Sequence, residues 1–342
     1  MDLLASLASA RARRLTNRAQ TGGWSLGCIR PCMAFALRPG KSIRRELRRI
    51  ARKELGRAVD RLLQDRDEDV HEGRKSVKKV EAIARLLDQI DTAPPRRDFK
   101  RLRAARRSLS KLRDGTVAIE TFDRLRSRFA RHVPEHTVAL IKGHLSRRKS
   151  AITRRAQANA GSLARAVRLL TKIRRAAKKW PAASIDVSAL PQLLSQSFRA
   201  SRKAMRRAQR RGRPSDFHTW RKHVKNLWYQ LRLSERLVSG LGKQIVEFEE
   251  LETALGEEHN LVVLRNHLTR TRSLRRMGPA IERLDAMSIA LRDELRRAAL
   301  VLGARLYERS PKEVAKDLRK RLRPNGTPRR RPSAHTRGQA VA

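Results

Sequence analysis

An all-α fold built as an internal duplication is what this 342-residue sequence predicts, and three observations carry the expectation. Glycine and proline are scarce through the middle of the chain, and almost nothing alternates apolar with polar residues as a strand would. Long stretches instead repeat apolar residues at helical spacing. One pattern, D-x-H-x-x-R-K-x-V-K, occurs twice, at Asp69 to Lys78 and at Asp216 to Lys225. The two histidines lie 218 − 71 = 147 residues apart, so each half of the chain holds one copy.

In chain order, residues 1–32 show no sustained period and are expected as a leader outside the domain, with Met33 a candidate true start. The first half is expected to hold helices over 42–64, 69–91, 98–130 with a break near Gly115, and 134–158. A further helix over 162–179 leads into Trp180-Pro181-Ala182-Ala183-Ser184, the expected linker. The second half repeats the plan over 189–211, 216–238, 243–276 with a break near Asn260, and 279–308. The domain is expected over 33–315, its halves at 41–160 and 187–310 joined by 161–186, and the proline-broken, basic stretch 316–342 as a flexible tail. Four helices per half suit two four-helix bundles, or one helical body with pseudo-twofold symmetry. A second landmark supports the duplication: Leu112-Arg113-Asp114 with Val117 corresponds to Glu258-His259-Asn260 with Val263, offset by 260 − 114 = 146 residues.

Charge restricts the partners. The chain has 82 Lys plus Arg against 33 Asp plus Glu, a formal net charge of +49, and such self-repulsion is relieved by bound anions. Nucleic acid, inorganic polyphosphate and an acidic membrane surface all answer to charge alone. Arg or Lys interrupts every apolar run before it reaches the roughly 18 to 20 residues of a membrane span, so a soluble, cytoplasmic protein is expected. Cys28 and Cys32 are the only cysteines and build no disulfide framework.

Within each copy, His, Arg, Lys and Lys fall at i, i+3, i+4 and i+7, one face of a helix. That face comprises His71, Arg74, Lys75 and Lys78 in the first copy and His218, Arg221, Lys222 and Lys225 in the second. Apolar stripes lie opposite: Val77, Val80, Ile83, Ala84 and Leu87, then Trp220, Val224, Leu227 and Leu231. From His to the last Lys is about 10 Å, a length that suits several linked phosphates. The preceding helices add basic rows, with Arg48 and Arg52 beside Ile43, Leu47 and Ile50, and Arg202 and Arg206 beside Leu194, Phe198 and Met205. Brought together, such rows would line a groove or channel for multidentate phosphate binding. Asp69 and Asp216 are expected as N-caps, and the histidines as phosphate ligands that gain a proton on binding.

With Leu37-Arg38-Pro39-Gly40, Lys225-Asn226-Leu227-Trp228-Tyr229 and the run Ala254 to Leu264, these motifs resemble the CHAD family, the conserved histidine α-helical domain, over about residues 33 to 315. The resemblance implies two similar helical bundles around a basic central channel, binding of inorganic polyphosphate, location at polyphosphate granules and no catalysis. Gly73 departs from the larger apolar residue usual in the family, and the first copy lacks arginines often found over Val80 to Ala84, so the weaker basic face is expected there.

The competing function is non-specific nucleic-acid binding by counterion release. Aromatic residues are only 4% of the chain, which leaves few stacking platforms. An enzyme is not expected, since the basic faces carry neither a positioned nucleophile nor a carboxylate cluster for divalent ions. No cofactor or metal is expected either: Pro134 separates His132 from His136, and Cys28 and Cys32 have no second ligand pair.

Overall fold

The computed structural model describes residues 35–64, 66–89, 96–129, 133–158, 161–180, 186–276 and 278–323. The leader 1–32, Met33, Cys28, Cys32, His132, the linker beyond Trp180 and residues 324–342 lie outside them. The chain divides into two units, Met1–Ala36 and Leu37–Ala342, and every helix described below belongs to the second.

The first half contains α1 (Ile43–Leu63), α2 (Asp67–Asp88), α3 (Arg96–Arg128) and α4 (Glu135–Gln157), followed by α5 (Ser162–Ala176) and a short 3-10 turn to Lys179. The second half contains α6 (Leu190–Arg211), α7 (Pro214–Ser234), α8 (Gly242–Arg270), the single turn α9 (Arg272–Arg275), α10 (Pro279–Leu306) and α11 (Pro311–Lys320). The chain is all-α, and among the described residues β pairing is limited to one isolated antiparallel bridge between Val238 and Leu322.

Amphipathic stripes assemble these helices. Val77, Val80, Ile83, Ala84 and Leu87 are buried on α2, as are Trp220, Val224, Leu227 and Leu231 on α7. In each half the motif helix packs on the helix before it and the helix after it: α2 on α1 and α3, α7 on α6 and α8. The halves meet through the corresponding helices, α2 against α7 and α3 against α8. Inside this α2–α7 contact the buried Gln230 amide donates to the Ala82 carbonyl at 3.3 Å. One core cluster runs across the halves, joining Phe122, Leu125 and Ile141 to Leu261, Leu264 and Leu284.

Four local expectations are corrected. Helix α3 runs unbroken through Gly115, where an added Cβ would stand 3.4 Å from Lys149 Cα of α4, at ordinary contact distance. Helix α8 likewise runs unbroken through Asn260. Asp69 and Asp216 are not caps: those positions belong to Arg66 and Arg213, neither of which makes a side-chain capping bond. Both aspartates sit inside the first turn and are nearly buried; Asp69 pairs with Arg61 at 2.8 Å and Asp216 with Arg207 at 2.6 Å. Each thus ties its motif helix to the helix before it and opposes the positive helix N-terminus. Finally, residues 316–320 are not tail but the end of α11, which buries Ala315 and Leu318 and packs on α6. Ser310 and Glu313 form its capping box and Pro311 opens its first turn.

The position of Gly73 has a packing reason. A Cβ there would lie 3.2 Å from the Leu62 side chain and 3.3 Å from the Ala58 carbonyl, so glycine admits α1. At the equivalent position of α7, Trp220 takes the space instead, and the small residue is supplied from α10 by Gly303, where a Cβ would stand 2.8 Å from the Trp220 ring.

Candidate functional site

Packing α2 against α7 turns the two cationic faces toward one another instead of leaving each as a separate solvated stripe. Lys78 lies within the electrostatic reach of Lys225, Arg221 and Arg74, and burial together with these cations drives its ammonium well below the usual lysine range. Arg74 is held at about 10, first by burial and then by Arg113, Arg106 and Arg221, against the favourable field of Asp114. Burial also lowers Lys225. The motif faces therefore form one basic centre between the halves.

One carboxylate organises its second-half side. Glu252 on α8 accepts from Lys225 Nζ at 2.6 Å and faces Arg221 Nη2 at 3.2 Å. Burial alone would raise Glu252, but Lys225 and Arg221 outweigh it and hold the carboxyl below its usual range. The Arg221 guanidinium rests against Gly256, whose absent Cβ would stand 3.4 Å from Nε. Lys225 also lies about 6 Å from the ring centres of Trp228 and Tyr229, a cation–π arrangement.

The histidines are neutral at pH 7. Burial and the neighbouring Arg113 and Lys75 take His71 down to about 4, and burial with Lys222 and Arg221 takes His218 to about 4. The ring of His259, on α8, lies 4.2 Å from that of His218, centre to centre, and is taken to about 3 by burial and by His218 itself. Sequence reasoning placed His259 in a landmark but not in the site. The signal was the 146-residue offset, which pairs His259 with Arg113, the residue that faces His71 in the first half.

Several donors here are buried without an acceptor. Arg74 Nη1, Arg221 Nε and His218 Nδ1 have no hydrogen-bond partner among the described residues. Leaving such groups unpaired costs about 1–3 kcal/mol each, more when charged. A bound anion would satisfy them.

The remaining predicted residues are less central. Lys75 is half-exposed and bonds Glu72 at 2.7 Å. Lys222 faces Arg106, Arg85 and Glu81. Arg48 and Arg52 line a separate cleft with Arg174 and Lys178 of the connecting segment. Arg202 lies within the electrostatic reach of Glu313 on α11, and Arg206 is exposed on α6. Helical spacing places such residues on a face but says nothing of which neighbour covers that face. Among the described residues no group of three or more His, Cys, Asp or Glu is placed to hold a metal, and no helix is long and apolar enough to cross a membrane.

Comparison with known proteins gives two positive findings. A family model described as the CHAD domain matches residues 46–269. The fold resembles the crystal structure of the CHAD domain from the plant Ricinus communis, with a TM-score of 0.58 and 17% identity over 78% of this chain and 94% of that one. No curated protein matches.

Proposed function

The chain belongs to the CHAD domain family, and we propose that it is a non-enzymatic, soluble binding module for inorganic polyphosphate, seated between α2 and α7. The observation that carries the reading is the set of buried, unpartnered donors on Arg74, Arg221 and His218 beside the crowded ammonium of Lys78. Flexible, closely spaced phosphates suit such donors: each guanidinium can take a phosphate in a bidentate fork, and the chain can follow the row from one motif helix to the other. A cytoplasmic location in association with polyphosphate granules is the setting that goes with this reading.

Nucleic acid is the alternative that net charge supports, through counterion release. The rings beside the site are engaged in packing: Trp220, Trp228 and Tyr229 are all buried, which leaves no stacking platform among them. Competition separates the two readings. Long-chain polyphosphate at physiological salt is expected to stay bound in the presence of single-stranded and duplex DNA matched in phosphate. Arg74→Gln with Arg221→Gln is expected to weaken it at least tenfold with the helical circular dichroism unchanged. Equal displacement by DNA, or unchanged affinity in the double variant, would reduce the reading to generic electrostatics.

A further inference from the structure

A second cationic concavity lies away from the motif helices. Between α1 and the end of α5 is a cleft of about 670 Å³ whose lining side chains, among the described residues, are seven Arg and Lys. Its α1 wall runs from Arg45 to Lys53, about 12 Å of helix. Arg174 and Lys178 belong to the other wall.

The cleft is held by specific contacts. Trp180 is buried, its indole donates to Asp98 Oδ2 at 3.1 Å, and its carbonyl accepts from Arg48 Nε at 2.8 Å. This pins the connecting segment to α1 and α3. The Arg174 guanidinium lies against Gly56, where a Cβ would stand 3.2 Å from its central carbon. Among the α1 residues Arg49 is neutralised by the buried Glu46 at 2.7 Å, whereas Arg52 Nε is buried without an acceptor among the described residues. Guanidinium groups are therefore packed in place with no carboxylate in the lining among the described residues.

We propose that this cleft is a second anion site, independent of the one between α2 and α7, and that it takes a compact oligophosphate: several phosphoryl groups within one small molecule. One phosphate would leave most of these cations repelling one another, and a pocket of this volume admits a small molecule rather than a duplex. Cations on two walls complement a ligand that presents phosphates on more than one side.

The test is calorimetric titration of the full chain at physiological salt, with linear pentaphosphate in one arm and inositol hexakisphosphate in the other. Two independent sites are expected for at least one probe. Arg52→Gln with Arg174→Gln should weaken one site at least tenfold, while Arg74→Gln with Arg221→Gln should weaken the other. Arg52→Lys, which keeps charge and packing volume, should weaken the cleft by a smaller factor and guards against misfolding of the double variant. The exposed pair Lys243→Gln with Lys320→Gln, of equal charge change, should spare both. The better-bound probe in the cleft identifies a linear or a ring-borne phosphate ligand. Stoichiometry and affinity unchanged in Arg52→Gln with Arg174→Gln, or the same loss in the control pair, would overturn the proposal. Failure of the Arg74 and Arg221 pair alone would instead count against the site between α2 and α7.

Discussion

Acidification from pH 7 to 5 is expected to destabilise the ligand-free protein through its central histidines. His71 and His218 titrate near 4 and His259 near 3, against an ordinary 6.5. The folded chain therefore refuses protons that the unfolded chain accepts. Stability is full above the unfolded value and is lost as pH falls from 6.5 toward the folded values. At pH 5 the gap developed is about 2 kcal/mol for each fully desolvated histidine. These rings keep some solvent contact, so screening trims the effect to about 1 kcal/mol each, or ~3 kcal/mol for the three. Glu46, held at about 2 because Arg49 and Arg38 outweigh its burial, loses its contribution only below the ordinary carboxylate value of 4.5, while Glu81 and Asp114, raised by burial, take up protons before the unfolded chain does and offset part of the histidine loss. Urea unfolding at pH 7 and 5 reads the loss directly as a shift in midpoint at constant slope. Replacing His71, His218 and His259 by glutamine should remove most of that shift, leaving the part due to His144, His223 and His267, which are also depressed. Bound phosphate should act in the opposite direction. If one phosphate returns one imidazole to its ordinary 6.5, affinity rises roughly twentyfold between pH 7 and 5. A triple variant that keeps the full pH dependence, together with a pH-independent affinity, would refute a role for these rings.

Two substitutions test the balance of charge in the same place. Lys78→Met is expected to raise unfolding stability by about 1 kcal/mol, because a desolvated ammonium among cations is replaced by an apolar chain of similar volume. It should weaken polyphosphate binding at the same time, and chemical denaturation beside titration separates the two effects. Glu252→Gln should cost about 3 kcal/mol by leaving Lys225 and Arg221 without their carboxylate. Polyphosphate should restore most of that loss, read as a larger ligand-induced rise in melting temperature than the unsubstituted protein shows.

The legible part of the fold was the part set by periodicity. The α2 and α7 stripes were readable because a buried face needs apolar residues at helical spacing whatever packs against it. The capping error at Asp69 and Asp216 had a different cause. An aspartate inside the first turn looks the same in sequence as one at the cap, and only the pairing with Arg61 and Arg207, on neighbouring helices, separates them. At Gly115 a glycine that suggests a break instead sits inside a continuous helix, because the helical ladder and packing on either side outweigh its low propensity. Helix α11 was legible but missed, since Ser310, Pro311 and Glu313 spell a helix start ahead of Ala315 and Leu318. Arg48 and Arg202 show a firmer limit: their faces follow from spacing, but their partners, the Trp180 carbonyl and Glu313, depend on tertiary packing.

The duplication leaves the two halves chemically unequal, and the inequality concentrates charge. In the second half Lys225 and Arg221 have Glu252, but the offset of 146 or 147 residues places Arg106 or Ala105 at the corresponding point of the first. The strongest attractive charge on Lys78 is therefore Glu252 of the other half, which already serves two cations, while Glu81 of its own repeat, also within electrostatic reach, is pushed up by burial. Adding a second carboxylate would relieve the repulsion and stabilise the free protein, at the expense of the field that draws an anion. Packing α2 on α7 carries the electrostatic cost instead, through the buried stripes that hold both helices in register. The same contact that stabilises the fold thus keeps Lys78, Arg74 and Arg221 too close together to be satisfied by the protein alone.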